Sequence, residues 1–260
     1  MTLYADLRWP AFAERYACDP HAFAVDVCGV AIPDQLLGAL PHLDASRLML
    51  HNAGSQEQQG VVLAVLALWH ITTTPDSLTM LSSPADSASE TNRAIAQLHK
   101  HIRTGRFYWL ARGIKHRATG WAVEGRLGSA IKMRKASARY PEALAGEYAQ
   151  RLLWLVEGGE KLPATCLGVI GSTMVYEGNA LVIAHDWHVP EFTMNWIRGH
   201  GYPLVDLEQS QAPTYAEQRA RHQDDMRHFV ELVAGKPLSS HQAALLATLV
   251  QSAPVAQTPR

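Results

Sequence analysis

Apolar positions along this chain come in two forms, short unbroken runs and longer stretches with a spaced face. In residues 9–29, Phe12, Tyr16, Phe23 and Val27 recur at intervals that predict a helix. Pro33 near a first turn starts a short helix over residues 33–37. Residues 47–51 are a brief apolar run, read as a strand. Residues 56–71 follow with Val61, Leu63, Val65, Leu66 and Leu68, the pattern of a buried helix. A short strand is expected over 78–81, closed by Ser82-Ser83-Pro84. Ser87 with Glu90 three residues on has capping-box spacing for a helix over 87–103. Residues 107–136 are punctuated by glycine, with strands expected around 120–124 and 129–133. A helical turn at 141–145, a strand at 152–156, a helix at 163–175 and a strand at 181–184 complete the series. Beyond Pro190 the pattern turns polar and helical, most clearly over 215–234 and 241–250, and residues 252–260 read as a tail. Strand–helix alternation at this spacing predicts a mostly parallel sheet covered by helices.

In such a sheet the segment from Met49 to Gly60, between a strand and a long helix, stands where a phosphate-binding loop would lie. That chemistry needs glycines for close backbone approach, a lysine for the phosphates and a Ser/Thr hydroxyl for Mg²⁺. Between Arg47 and Arg93 there is no lysine or arginine at all. The scaffold is expected; the chemistry is missing.

Composition narrows the class. Of 260 residues 47% are apolar and 18% charged, which suits a buried core and argues against wholesale disorder. Cys18, Cys28 and Cys166 have no paired spacing, so neither a zinc site nor a disulfide framework is indicated. The start lacks a signal-peptide pattern, and the longest apolar run, residues 61–69, is too short to span a bilayer. A soluble cytoplasmic protein with no membrane partner is the expectation. Net charge is only −1, yet residues 99–139 hold eleven Lys/Arg against the single acid Glu124. That concentration suits a polyanion-facing surface; a solvated helix and hairpin is the simpler alternative.

Four segments together resemble a known family. Phe12-x-x-Arg15-Tyr16-x-x-Asp19-Pro20-x-x-Phe23, Pro33-x-Gln35, the strand and turn from Leu78 to Asp86, and the segment Tyr140-Pro141-Glu142-Ala143-Leu144-Ala145-Gly146-Glu147-Tyr148 follow in order. They are similar to the N-terminal ATPase domain of bacteriophage large terminase subunits, the DNA-packaging motors, over roughly residues 9–190. The resemblance implies a three-layer P-loop-NTPase-like α/β domain with a mostly parallel central sheet over 1–190. A short helical C-terminal extension over 191–251 and a flexible tail over 252–260 would follow. About 70 residues after Pro190 are too few for the family's nuclease. Its candidate acids, Asp206, Glu208, Asp224 and Asp225, read more simply as solvated.

The family's motor residues do not carry over. Its P-loop glycines fall on Ala53 and Glu57, its lysine on Gln58 and its Ser/Thr on Gln59. Glu57 would set a negative charge where phosphates should lie. The magnesium-holding Asp of its second motif falls on Glu157, and the catalytic Glu falls on Gly158. The coupling turn becomes Ile183-Ala184-His185-Asp186. No catalytic residue and no resident metal are expected, and the ATP and Mg²⁺ of the family are expected to be lost.

The resemblance thus implies a pseudo-ATPase in phage DNA packaging or its regulation. Its partners would be double-stranded DNA, packaging-motor proteins or the portal. For phosphate contact the basic stretch offers Arg103, Arg106, Arg112, Lys115, Arg117, Lys132, Arg134 and Lys135. A divergent ATPase using Glu157 with a relocated cation such as Arg93, and a pure interaction decoy or cap of the motor, are the alternatives. His185-Asp186-Trp187-His188 with Glu191 holds ligand-type residues at a strand end, against the plainer reading of a polar loop. Cys166 reads as core, and Gly168 and Gly171 as helix-packing glycines.

Overall fold

A computed structural model of the chain describes residues 3–30, 48–51, 56–84, 90–125, 127–185, 191–199 and 204–206. The strands are β1 (Leu48–His51), β2 (Leu78–Ser83), β3 (Ile114–Arg117), β4 (Gly120–Val123), β5 (Ser129–Lys135), β6 (Leu152–Val156), β7 (Ala180–Ala184) and β8 (Leu204–Asp206). They form one sheet in the order β3-β4-β5-β2-β6-β7-β1-β8. The pairs from β5 to β8 are parallel; β3–β4 and β4–β5 are antiparallel. The helices are α1 (Trp9–Tyr16), α2 (Pro20–Ala22) continuing as a wider turn over Phe23–Cys28, α3 (Gln56–Thr73), α4 (Glu90–Thr104), α5 (Tyr108–Gly113), α6 (Ala164–Thr173) and α7 (Glu191–Gly199).

Three layers result. On one face of the sheet Leu63–Leu68 of α3 are buried on every side, between the strands and the outer helices. A helix apolar all round needs that double cover. Helix α4 is amphipathic instead: Ala94, Ile95, Leu98 and Ile102 point inward, while Arg93 and Arg103 face solvent. On the other face Leu167 and Ile170 of α6 and Leu144 pack against Met80, Trp154, Leu181 and Ile183. Strands β6 and β7 are buried along their whole length, which is why they read as unbroken apolar runs.

The opening segment has a structural cause for each of its marked residues. Phe12, Tyr16 and Phe23 interlock, with ring centroids 4.9–6.3 Å apart. The side chain of Asp19 accepts from the Ala22 amide at 2.8 Å, and Pro20 has no amide to continue α1. The single helix expected over 9–29 is therefore two pieces. Further departures are α5 and β3, which fall where only strands around 120–133 were expected. The sheet also continues past residue 190: β8 pairs with β1, so Asp206 closes a strand rather than lying on helical sequence.

The chain divides at Ser210/Gln211, and the unit Gln211–Arg260 lies outside the described residues. So do the helix expected over 33–37, Ala53, Ser87, Asp186–His188 as numbered positions 186–188, Glu208, Asp224 and Asp225. Among the described residues no helix is long and apolar enough to cross a membrane.

Candidate functional site

In open parallel sheets ligands bind beyond the carboxyl ends of the strands. Here that edge carries His51 at the end of β1, Ser83 of β2, Glu157 just after β6 and His185 just after β7. Strand β7 separates β1 from β6.

Glu157 is only 6% exposed, and both of its carboxylate oxygens are occupied. Oε1 accepts from the Glu90 amide at 3.0 Å. Oε2 accepts from the Thr91 amide at 3.1 Å and the Thr91 hydroxyl at 2.7 Å. A helix begins with amide donors that its own ladder cannot satisfy, and with the positive end of its dipole. The carboxylate at the tip of β6 therefore caps α4 from across the fold. Helix α3 comes to the same corner: a Cβ on Gly60 would sit 2.8 Å from the Glu90 carbonyl carbon. Only glycine allows that approach.

Around this corner Glu57 and Gln58 are exposed, while Gln59 is buried at 1%. Gly158 adopts φ 68° and ψ 46°, a left-handed conformation that any other residue enters at a cost of about 1–2 kcal/mol. The neighbouring Gly159 is packed so closely that a Cβ would run into Ile183 Cγ2. The corner thus brings together Gln59, Gly60, Glu90, Thr91 and Glu157. It offers no cation among these and no side chain at 158. Among the described residues two carboxylates stand at this corner: Glu157 accepts three hydrogen bonds and Glu90 pairs with Arg93, which leaves neither open to a magnesium ion.

His185 is buried and Glu191 is exposed on the first turn of α7. Among the described residues no three His, Cys, Asp or Glu side chains are gathered as metal ligands. Cys166 is fully buried, its thiol 3.6 Å from the Ser137 carbonyl and raised in pKa by burial. Gly171 lets Trp196 approach to 3.0 Å of where a Cβ would be, whereas Gly168 has open space.

The eight basic residues singled out in the sequence do not share one surface. Successive strand residues alternate between faces, and cross-strand partners share one. The register Arg117↔Gly120↔Lys132 puts Lys115, Arg117, Lys132 and Arg134 on one face of β3–β4–β5, beside the small Gly120, Ala122 and Ala130. Glu147 holds Lys132 at 2.7 Å and Arg134 at 3.0 Å, and Glu124 pairs with Arg117. Lys135 lies one position on, at the strand end. Arg103, Arg106 and Arg112 belong to α4, α5 and the turn between them, on the opposite side of the sheet. Glu147 was read in the sequence as part of a motif only; its pairing with β5 spans 13 and 15 residues and leaves no periodic signal.

This arrangement defines a class by its fold: a three-layer α/β domain with a mostly parallel sheet, whose carboxyl edge carries the buried Glu157. The fold is that of the large terminase of bacteriophage HK97, matched at a TM-score of 0.53 over 93% of this chain with 13% identity. The chain spans about half the length of that protein, 52%. The Thermus phage P74-26 large terminase ATPase domain matches at a TM-score of 0.46 with 15% identity, covering 66% of this chain and 72% of that one. The large terminase of the thermophilic bacteriophage D6E, solved with ADP, matches at 0.42 with 10% identity, covering 68% and 44%. No protein-family model and no curated protein sequence matches the chain.

Proposed function

We propose that this protein is a terminase-type ATPase domain that no longer binds or cleaves nucleotide. On this reading it acts in phage DNA packaging or its regulation, contacting duplex DNA, packaging-motor proteins or the portal. One observation carries the loss of catalysis: Glu157, at the position of the family's magnesium ligand, is committed to the start of α4 through three hydrogen bonds. Gly158 next to it supplies no carboxylate to orient a water, and Gln58 supplies no positive charge to a γ-phosphate. DNA contact is assigned to the flat face of β3–β4–β5, where Lys115, Arg117, Lys132 and Arg134 outnumber Glu124 and Glu147. Such contact reads phosphates rather than sequence and weakens with salt.

The test is calorimetric titration of the full chain with Mg-ATP, followed by a phosphate-release assay with and without duplex DNA. Neither binding nor turnover is expected under any of these conditions. Saturable Mg-ATP binding, or DNA-stimulated phosphate release, would overturn the reading.

A further inference from the structure

Far from the nucleotide corner, α1, Asp26 and the Arg106–Trp109 segment enclose an open cleft of about 620 Å³. Its position follows from two indole hydrogen bonds. Trp9 Nε1 donates to the Thr72 carbonyl at 2.8 Å, and Trp69 Nε1 donates to the Tyr16 carbonyl at 2.7 Å. Both tie α1 to the last turns of α3, at the amino edge of the parallel strands.

The cleft is built from arginines laid on aromatic rings. The Arg8 guanidinium lies 4.8 Å from the Trp109 ring centroid, Arg15 5.5 Å from Tyr16 and Arg106 4.7 Å from Phe107. Beneath them Phe12 packs edge-on against Phe107 and Trp109, at 6.0 and 5.5 Å. Stacking fixes the plane of a guanidinium and leaves its edge donors aimed outward. Those donors are underused. A single oxygen of Asp26 faces Arg15 at 3.4 Å and Arg106 at 3.9 Å, both longer than a good charged hydrogen bond, and also accepts from the Tyr16 hydroxyl at 3.1 Å. Arg8 is held bidentately by Asp6 at 2.8 and 2.7 Å. Three guanidiniums therefore line the cleft beside one carboxylate, with Asp6 holding Arg8 at its rim.

We propose that this cleft docks an acidic segment of a partner protein, with a Glu or Asp carboxylate seated between Arg15 and Arg106. Asp26 already shows that a carboxylate oxygen fits between the two. The mix of arginine with tryptophan and tyrosine is that of interface hot spots. An open cleft of this volume takes a few side chains of a partner segment. The inference does not depend on whether the nucleotide corner is silent.

The full chain is titrated, by fluorescence polarisation at low salt, into a short labelled peptide of alternating glutamate and leucine. A labelled single-stranded oligonucleotide of similar length is run in parallel. The peptide is expected to bind, and Arg15→Glu with Arg106→Glu is expected to weaken it about tenfold or more while leaving the oligonucleotide unchanged. Both arginines are more than half exposed, so the variant should fold. Arg106→Ala alone, expected to cost a smaller loss in the same direction, decides the matter if it does not. No peptide binding at low salt, equal binding by the variants, or a loss confined to the oligonucleotide would each overturn the proposal.

Discussion

Replacing Glu157 with alanine removes the acceptor of three hydrogen bonds and leaves two helix-start amides and the Thr91 hydroxyl facing an apolar gap. Hydrogen bonds to a charged acceptor contribute about 1.5 kcal/mol or more each. Part of that sum is returned, because the variant no longer holds a dehydrated carboxylate. The net loss expected is about 3 kcal/mol. Thr91→Val keeps the backbone bonds and deletes the hydroxyl bond alone, at about 1 kcal/mol. The double variant should then lose less than the two single losses added together, by about 1 kcal/mol, since the hydroxyl bond is already gone once Glu157 is absent. Urea unfolding in metal-free buffer at pH 7 measures all four proteins. A metal-ligand role predicts something different: with no ion present, removing the ligand would leave stability near that of the native chain, and added Mg²⁺ would stabilise only the native chain. Overlapping unfolding curves for Glu157→Ala and the native protein would refute the capping argument.

Neighbouring glycines should respond unequally. Gly159→Ala meets Ile183 and is expected to cost about 1–3 kcal/mol, whereas Gly158→Ala meets no backbone and pays only for its left-handed conformation, about 1 kcal/mol; thermal unfolding ranks them. His70 is buried, its Nδ1 2.8 Å from Thr79 Oγ1, and burial lowers its pKa from 6.5 to about 3. Below pH 6.5 the unfolded chain takes up a proton that the folded chain refuses, so stability falls with pH across that window, by about 2 kcal/mol between pH 6.5 and 5. His70→Gln should flatten that part of the profile, and an unchanged slope would count against the assignment. On the sheet face, Lys115→Ala with Arg117→Ala should lower the salt slope of DNA binding by about 2, and Glu147→Gln, by freeing Lys132 and Arg134, should raise affinity at low salt; identical slopes would remove this face from the DNA role.

The parallel half of the fold was legible because burial on both faces writes itself into sequence: β6 and β7 are unbroken apolar runs, β2 is buried up to its last residue, and the middle of α3, Leu63–Leu68, is apolar all round. The antiparallel edge was less so. Strand β3 reads Ile114-Lys115-His116-Arg117, with one apolar residue, and only Ile114 of the four is buried. β8 has three residues and is held by its pairing with β1 rather than by any run of its own. Ser87 and Glu90 signalled a capping box for α4, but the amides of Glu90 and Thr91 bond to Glu157, 66–67 residues away. Such pairings have no local signature. The basic cluster was visible as composition; that one part lies on a sheet face and another around an aromatic cleft depends on which strand alternation and which helix each residue joins.

On the proposed reading, the corner around Glu157 is one linked arrangement rather than a set of separate losses. A buried carboxylate at the tip of β6 is costly unless donors are supplied. The start of α4 supplies three, and the positive end of that helix favours the same charge. Glutamate is one methylene longer than the aspartate that the resemblance puts here, which is the reach needed to touch a neighbouring helix rather than an ion at the strand tip. Glycine at 158 permits the left-handed turn that carries the chain into the close-packed Gly159. The hydrogen bonds to Glu90 and Thr91 thus give Glu157 a structural purpose at this corner, as the acceptor that holds the start of α4 to the tip of β6.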